Sequence, residues 1–281
     1  MIKKEKVIPF IKNALEEDIR EGDHSSIACI PSSKIGRAKL LIKENGIIAG
    51  IKLAKWIFEH INPSLKVQMH LKDGDPVKKG DIAFTVEGPA ISLLSGERLV
   101  LNSMQRMSAI ATKTNNYVKI LRGTKTTVLD TRKTTPGIRI LEKWAVKIGG
   151  GQNHRFGLYD MIMLKDNHID FAGGIEQAII KVKNYLKNNK LNLKVEVEAR
   201  NLNEVKKIIA VGGIDRIMLD NFTPEETSEA LILINNKYET ESSGGITSKT
   251  IRIYAECGVD YVSVGALTHS VKNMDLSLKA F

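Results

Sequence analysis

Cysteine is nearly absent: Cys29 and Cys257 are the only two in 281 residues, they lie in separate regions, and neither belongs to a CxxC or other metal-ligand spacing. Neither a disulfide framework nor a structural zinc site is therefore suggested, and a reducing compartment is expected. Aromatic residues make up 5% of the chain and form no run interleaved with Lys and Arg, which argues against the stacking platform that single-stranded nucleic acid requires. No apolar run approaches the ~20 residues of a membrane span. The opening Met1-Ile2-Lys3-Lys4 leads straight into an amphipathic stretch rather than a signal-peptide core. These absences point to a cytoplasmic protein whose partners are neither membrane nor nucleic acid.

What is present is positive charge. Forty-two Lys and Arg stand against 32 Asp and Glu, a formal net charge of +10, and a field of that sign favours anionic ligands. Part of the excess is a Lys-rich helix face at 181–187, a solvated surface. The length suits one large α/β domain plus a smaller one.

The first part of the chain has mixed patterning. Residues 7–19 have helical spacing, 38–42 and 46–50 look like strands around a turn at Glu44-Asn45, and 53–61 forms a second helix. The segment Asp73-Gly74-Asp75-Pro76-Val77-Lys78-Lys79-Gly80-Asp81 is dense in turn residues and precedes a strand at 82–86. Its punctuation resembles a lipoyl- or biotinyl-carrier domain, but no hairpin presenting a lysine follows, so a β-rich scaffold is the better reading. A long helix over 95–117 then leads out of this domain.

Beyond Lys125 the pattern changes to short apolar runs at 127–130, 161–165, 194–198, 216–220, 238–242 and 261–265, each followed by a helical stretch. Strand and helix in alternation imply a parallel sheet with right-handed crossovers, and six units suggest an incomplete barrel. Thr223-Pro224-Glu225-Glu226 supplies a cap, a first-turn proline and a capping-box glutamate in order. Catalytic groups of such barrels sit where strands end.

Each expected strand end carries a charged, hydroxyl or glycine residue: Asp130-Thr131-Arg132-Lys133-Thr134-Thr135, Lys165-Asp166-Asn167-His168, Glu196 and Glu198, Asp220-Asn221, Ser243-Gly244-Gly245, and Gly265-Ala266. The last two loops match a phosphate site built from backbone N–H groups and a helix beginning near Thr247, although glycines also serve tight turns. Glu198 and Asp220 end adjacent strands and can converge on a hard cation or on ribose hydroxyls. The strand 195–198 points both glutamates inward, where the alternative is a structural ion pair, favoured more for Glu196 than for Glu198. Between the first two strands, Gly149-Gly150-Gly151-Gln152-Asn153-His154-Arg155 is too glycine-rich for a helix and suggests backbone fitted closely beneath a ligand. With Arg132, Lys133 and Lys165, His154 and Arg155 make five basic groups at one mouth, an arrangement that polyanionic ligands must neutralise.

These motifs resemble those of quinolinate phosphoribosyltransferase, also called nicotinate-nucleotide pyrophosphorylase (carboxylating). The resemblance runs through Glu17-Asp18 with Gly22-Asp23, Glu97-Arg98-Leu99-Val100-Leu101-Asn102, Asp130 to Gly137, Gly149 to Arg155, Leu164 to His168 and Ser243-Gly244-Gly245-Ile246-Thr247. It implies condensation of quinolinate with phosphoribosyl pyrophosphate and decarboxylation to nicotinate mononucleotide. The implied fold is a small N-terminal α+β domain, 1–115, followed by an incomplete, roughly six-stranded α/β barrel, 116–281, with a last helix returning to the first domain. It further implies a homodimer in which the N-terminal domain caps the partner's barrel and Arg98 reaches quinolinate across the interface. Arg132, Lys133, His154, Arg155 and Lys165 take the quinolinate-binding positions. Glu198, Asp220, Ser243, Gly244, Gly245 and Gly265 take those for phosphoribosyl pyrophosphate. Mg²⁺ is the implied cofactor, held through the substrate with Glu198 and Asp220 as candidate protein ligands, and Lys133, Lys165, Glu198 and Asp220 are the candidate catalytic groups. One departure is Ala109, where the family usually has Gly.

Two rivals remain at this point. A molybdate-operon paralogue shares the fold, and the complete basic set argues against it. A carrier or anion-sensing protein would use the same turns and glycine loops without turnover.

Overall fold

The computed structural model describes residues 2–281. It divides into two compact units: Met1–Asn115 with Thr134–Gly150 and Leu267–Phe281, and Asn116–Lys133 with Gly151–Ala266. Segments 134–150 and 267–281, expected in the barrel half, thus cluster with the first unit.

The first unit opens with a 3₁₀ turn, Lys4–Lys6, and α1, Ile8–Asp18, which has Pro9 in its first turn. A short helix follows, α2, His24–Cys29, whose N-terminus is capped by Asp23 accepting the Ser26 N–H at 3.1 Å. Then come β1 (Ile35–Ile42), β2 (Gly46–Ile47), α3 (Ile51–Ile61), β3 (Lys66–Met69), β4 (Pro76–Val77), β5 (Ile82–Pro89) and α4 (Ala90–Ile120). In β1 the alternation of buried Ala38, Leu40 and Ile42 with more exposed neighbours is the period-2 pattern of a half-buried strand. Helix α3 buries Leu53, Ala54, Ile57 and Phe58 on one face, and Phe58 meets Phe84 of β5 edge-on at 6.2 Å between ring centroids.

The carrier-like punctuation is scaffold. The Lys78 N–H donates to Asp81 Oδ2 at 2.8 Å and the Lys79 N–H to Asn45 Oδ1 at 3.0 Å, closing a turn between β4 and β5. The expected strand at 46–50 shortens to β2, because Gly50 takes φ +92° to start α3.

The second unit carries β6 (Thr127–Leu129), β7 (Ile162–Leu164), α6 (Asp166–Ala172), α7 (Ile175–Asn188), β8 (Val195–Ala199), α8 (Leu202–Val211), β9 (Arg216–Asp220), α9 (Pro224–Ile234), β10 (Glu239–Ser243), α10 (Ile251–Cys257) and β11 (Tyr261–Ser263). Helix α5 (Arg139–Ile148), which follows β6, belongs to the first unit. The six strands lie parallel in the order β6-β11-β10-β9-β8-β7, a barrel wall whose end strands β6 and β7 do not pair. Its outer layer is apolar, with Val195, Val197, Ile217 and Leu219 packed against Ile179, Val205 and Ile208 of the helices. The expected capping box is present: Thr223 and Glu226 exchange backbone-to-side-chain bonds at the start of α9.

Two differences from the sequence reading concern the C-terminal part. The chain after α11 (Ala266–His269) ends not in a helix but in β12 (Leu276–Ala280), an antiparallel edge beside β1 in the order β12-β1-β5-β3. Its alternation is only five residues long, and the pairing partner that selects a strand lies more than 200 positions away, Leu278 opposite Leu40. Helix α10 begins at Ile251, after a turn at 247–250 in which the Thr247 N–H donates to Thr250 Oγ1, rather than near Thr247.

Asp260 ties β6, β10 and β11 together, accepting from the Thr240 N–H and hydroxyl at 2.9 and 2.8 Å and from Lys125 at 2.9 Å. Burial opposes the carboxylate, but the bonds from Lys125 and Thr240 outweigh it and hold Asp260 below its ordinary range. Because the folded value is depressed, its contribution is complete above the unfolded value of 3.8 and disappears as pH falls through the lower folded value. Asp260→Asn should therefore cost about 1–2 kcal/mol at neutral pH and close the gap to wild type below pH 4, read by urea unfolding across pH 3 to 7.

Candidate active site at the strand ends

The carboxyl ends of the second unit's strands converge as charged and hydroxyl groups. At the end of β7, Lys165 is half-exposed and its Nζ lies 2.8 Å from Oε2 of Glu198 at the end of β8, a carboxylate only 6% exposed. Glu198 is level with Met218 in the β8–β9 register, so Asp220 projects two residues further along β9. Asp220 Oδ1 accepts the Ser243 hydroxyl at 2.6 Å, and Oδ2 accepts the Asn221 amide at 2.8 Å. The acidic pair and Ser243 thus form one continuous edge along β8, β9 and β10.

Gly244 and Gly245 both have positive φ, +90° and +59°. A Cβ on Gly244 would run into the Asn221 side chain, whereas one on Gly245 would meet nothing within 4 Å. The first glycine is needed for packing and the second leaves exposed backbone at the rim. Gly265 follows β11 at the neighbouring strand end.

The basic half comes from β6 and the glycine segment. Residues after Gly151 run along the free edge of β6, the Gln152 N–H donating to Val128 O at 3.0 Å and its carbonyl accepting from the Asp130 N–H at 3.2 Å. This pairing covers an otherwise open edge. Buried Asp130 then holds the next turn, accepting the Asn153 amide at 2.6 Å and the His154 N–H at 2.9 Å. Arg155 extends with Nη1 3.3 Å from Met161 O. Its burial, and next the charge of Arg132, lower the Arg155 pKa, so the two guanidinium groups share one neighbourhood. Arg132 and Lys133 are exposed on the loop after β6. Arg98 stands apart from these groups in the chain's division, on an exposed position of α4 in the first unit.

His154 is not at the surface. Its side chain is 5% exposed, with Nε2 2.9 Å from Glu196 Oε2 and 3.4 Å from Glu241 Oε2. Arg216 completes the cluster, Nη1 2.9 Å from Glu241 and Nη2 3.0 Å from Glu239. Hydrogen bonds to Glu196 and Glu241 and their charges favour the protonated ring against its burial, but the Arg155 N–H 2.6 Å from Nδ1 requires that nitrogen to accept, so the ring carries a single proton, on Nε2 between the two carboxylates. Burial raises the Glu196 pKa, and the charge of Glu241 adds to it. Glu241 is held lower by His154 and Arg216 despite complete burial.

Glu196 therefore belongs to an interior ion network, whereas Glu198 and Asp220 face the rim. Glu241 and Arg216 were not singled out from the sequence, although Glu239-Thr240-Glu241 repeats the alternation seen in Val195-Glu196-Val197-Glu198. His154, Glu196 and Glu241 are close enough to hold a metal ion, but the imidazole does not suit Mg²⁺ and Arg216 already balances the carboxylates. The hard-oxygen pair Glu198 and Asp220 fits Mg²⁺ better.

Models of two families cover the chain: quinolinate phosphoribosyl transferase, N-terminal domain, at residues 23–108, and the C-terminal domain of the same enzyme at residues 110–279. The chain belongs to the quinolinate phosphoribosyltransferase family. Among relatives, it is 48% identical to a chloroplastic nicotinate-nucleotide pyrophosphorylase [carboxylating] of Arabidopsis thaliana over 96% of this chain and 81% of that protein. It is 43% identical to a probable enzyme of the same name from Bacillus subtilis, over 93% and 89%. The crystal structure of NadC from Streptococcus pyogenes superposes with a TM-score of 0.93 at 38% identity, covering 99% of this chain and 97% of that one.

The small N-terminal α+β domain and six-stranded α/β barrel expected from the sequence are the architecture of this family. The cytoplasmic expectation is not upheld. Plant relatives at 46–48% identity are named chloroplastic or mitochondrial, and scarce cysteine does not distinguish one reducing compartment from another. Among the described residues, no helix is long and apolar enough to cross a membrane.

The two rim glycines should respond differently to alanine. Gly244→Ala combines a left-handed backbone with a collision and should cost about 1–3 kcal/mol, whereas Gly245→Ala should cost about 1–2 kcal/mol from the backbone alone. Urea unfolding of both variants measures the order.

Proposed function

We propose a division of labour at this rim for the reaction of the family, in which quinolinate and phosphoribosyl pyrophosphate give nicotinate mononucleotide, pyrophosphate and carbon dioxide. The observation that carries it is the Lys165–Glu198 pair, where a basic rim group and an acidic one meet at 2.8 Å. One side of that contact suits a dicarboxylate and the other a ribose with its developing positive charge.

Arg132, Lys133, Arg155 and Lys165 bind the two carboxylates of quinolinate, planar Arg forks fixing orientation and the Lys groups acting as mobile point charges. Arg98 joins them from a second copy of the chain in a homodimer. Exposed Leu158, Tyr159 and Phe171, 69%, 72% and 89% accessible on the segments flanking β7, support a covering partner. His154 serves this set from below, through Arg155. Ser243, Gly244, Gly245 and Gly265 bind the 5′-phosphate through backbone and hydroxyl groups of the loops after β10 and β11.

The pyridine nitrogen attacks the anomeric carbon as pyrophosphate leaves, and Glu198 and Asp220 stabilise the cationic ribose. Glu198 and Asp220 are the residues that would hold Mg²⁺, which would supply charge neutralisation for the departing pyrophosphate. The new pyridinium withdraws electrons from the 2-carboxylate, and carbon dioxide departs with the bonding pair left on the ring, which takes up a proton. Holding two anions in line for attack can account for about 7–11 kcal/mol at most.

Arg132→Ala and Lys165→Ala should each lower turnover by about 10²–10³-fold or more with the fold retained by circular dichroism, in an assay for nicotinate mononucleotide and carbon dioxide with Mg²⁺. Unchanged rates would sink the assignment. Mixing Arg98→Ala with Lys165→Ala protein should restore activity through hybrid dimers that contain one intact site, whereas no recovery after subunit exchange would count against a shared site.

A further inference from the structure

Below the rim lies a chain of contacts that the proposed chemistry does not use directly: Glu239 to Arg216 at 3.0 Å, Arg216 to Glu241 at 2.9 Å, Glu241 to His154 at 3.4 Å, and His154 Nδ1 to the Arg155 N–H at 2.6 Å. Glu241 is fully buried, Arg216 is 8% exposed, and Glu196 closes the cluster from β8. A neutral imidazole has one donor and one acceptor nitrogen, and the partner of one decides the tautomer at the other. Two carboxylates face Nε2, so the proton sits there and Nδ1 keeps its lone pair. That lone pair is what the Arg155 N–H meets. A proton on Nδ1 would set N–H against N–H and push the backbone away.

We infer that Glu196 and Glu241, the latter held by Arg216, are positioning residues for the quinolinate-binding half of the site, acting through the His154 tautomer to fix the backbone from which Arg155 departs. This rests on the reading of Arg155 as a quinolinate ligand. Burial and then the charge of Arg132 disfavour the Arg155 cation, so the backbone that carries Arg155 is where a clamp has most to hold. The clamp has two jaws. Asp130 Oδ1 accepts the His154 N–H at 2.9 Å, and His154 Nδ1 accepts the next N–H. Two successive peptide N–H groups are thus held by buried acceptors, one carried on β6 and one set by β8, β9 and β10.

The phosphoribosyl half has no comparable dependence on the cluster. Ser243 and Asp220 bond to each other directly, and the Asn221 N–H donates to Ser243 O at 2.9 Å. The inference therefore predicts an asymmetric defect.

The double variant Glu196→Gln, Glu241→Gln keeps the shape and removes both charges that orient Nε2–H. It should raise the KM for quinolinate about tenfold or more, leave the KM for phosphoribosyl pyrophosphate within about twofold, and retain the folded circular-dichroism spectrum. An unchanged quinolinate KM would overturn the inference, as would equal losses for both substrates accompanied by a lower Tm. A second measurement is independent of turnover: in ¹⁵N-histidine NMR of the intact protein, the signal that disappears in His154→Gln should show Nε2 protonated and Nδ1 bare. It should lose that distinction in the double variant. A wild-type His154 carrying its proton on Nδ1 would also overturn it. If the wild-type protein shows the Nε2–H tautomer but does not convert quinolinate, the functional reading fails and the positioning chain stands.

Discussion

The constraint on which the barrel unit depends is charge enclosed by a parallel sheet. Alternate residues of β8, β9 and β10 point to one side, and that side receives Glu196, Arg216 and Glu241 in a space from which water is largely shut out. Isolated, each of these charges would be costly; together they offset one another, Arg216 against Glu241 and the His154 Nε2–H against both carboxylates, with Glu196 pushed towards its protonated form by burial and the charge of Glu241. Removing any one strands its partners, and the cluster ties the glycine segment that delivers His154 to the three strands.

From this closed layer the unit grades into an open one. One step up the same strands are Glu198, itself buried but paired with half-exposed Lys165, and the part-buried Asp220 and Ser243. The gradation separates roles that similar residue types would otherwise share. Glu196 and Glu198 stand two positions apart in one strand, yet one is locked in an ion network and the other meets a half-exposed lysine at the rim. The glycine segment serves both layers, because its backbone covers the free edge of β6 while its His and Arg point into different environments.

Much of this was legible along the chain. All six barrel strands lie within a residue or two of where short apolar runs placed them, since buried parallel strands in an α/β unit are read from composition as well as from periodicity. The rim residues were legible because barrels place functional groups at strand ends. The short C-terminal strand was not, because its partner β1 is remote in sequence. Nor were Glu241 and Arg216, which look like ordinary surface charges until the sheet turns them inward.

The sequence by itself determined the order of elements, the excess of positive charge, the acidic and glycine-bearing strand ends, and the family, because these are properties of local pattern and spacing. Tertiary structure alone decided which charges meet. Whether a glutamate ends as an interior counterion or a rim ligand depends on strand register and on how completely neighbouring strands exclude water, and both are set by contacts between segments far apart in the chain. His154 shows this most clearly: its motif resembles that of a ligand-binding residue, whereas the fold buries its side chain between Glu196 and Glu241 with the Arg155 N–H on its other nitrogen.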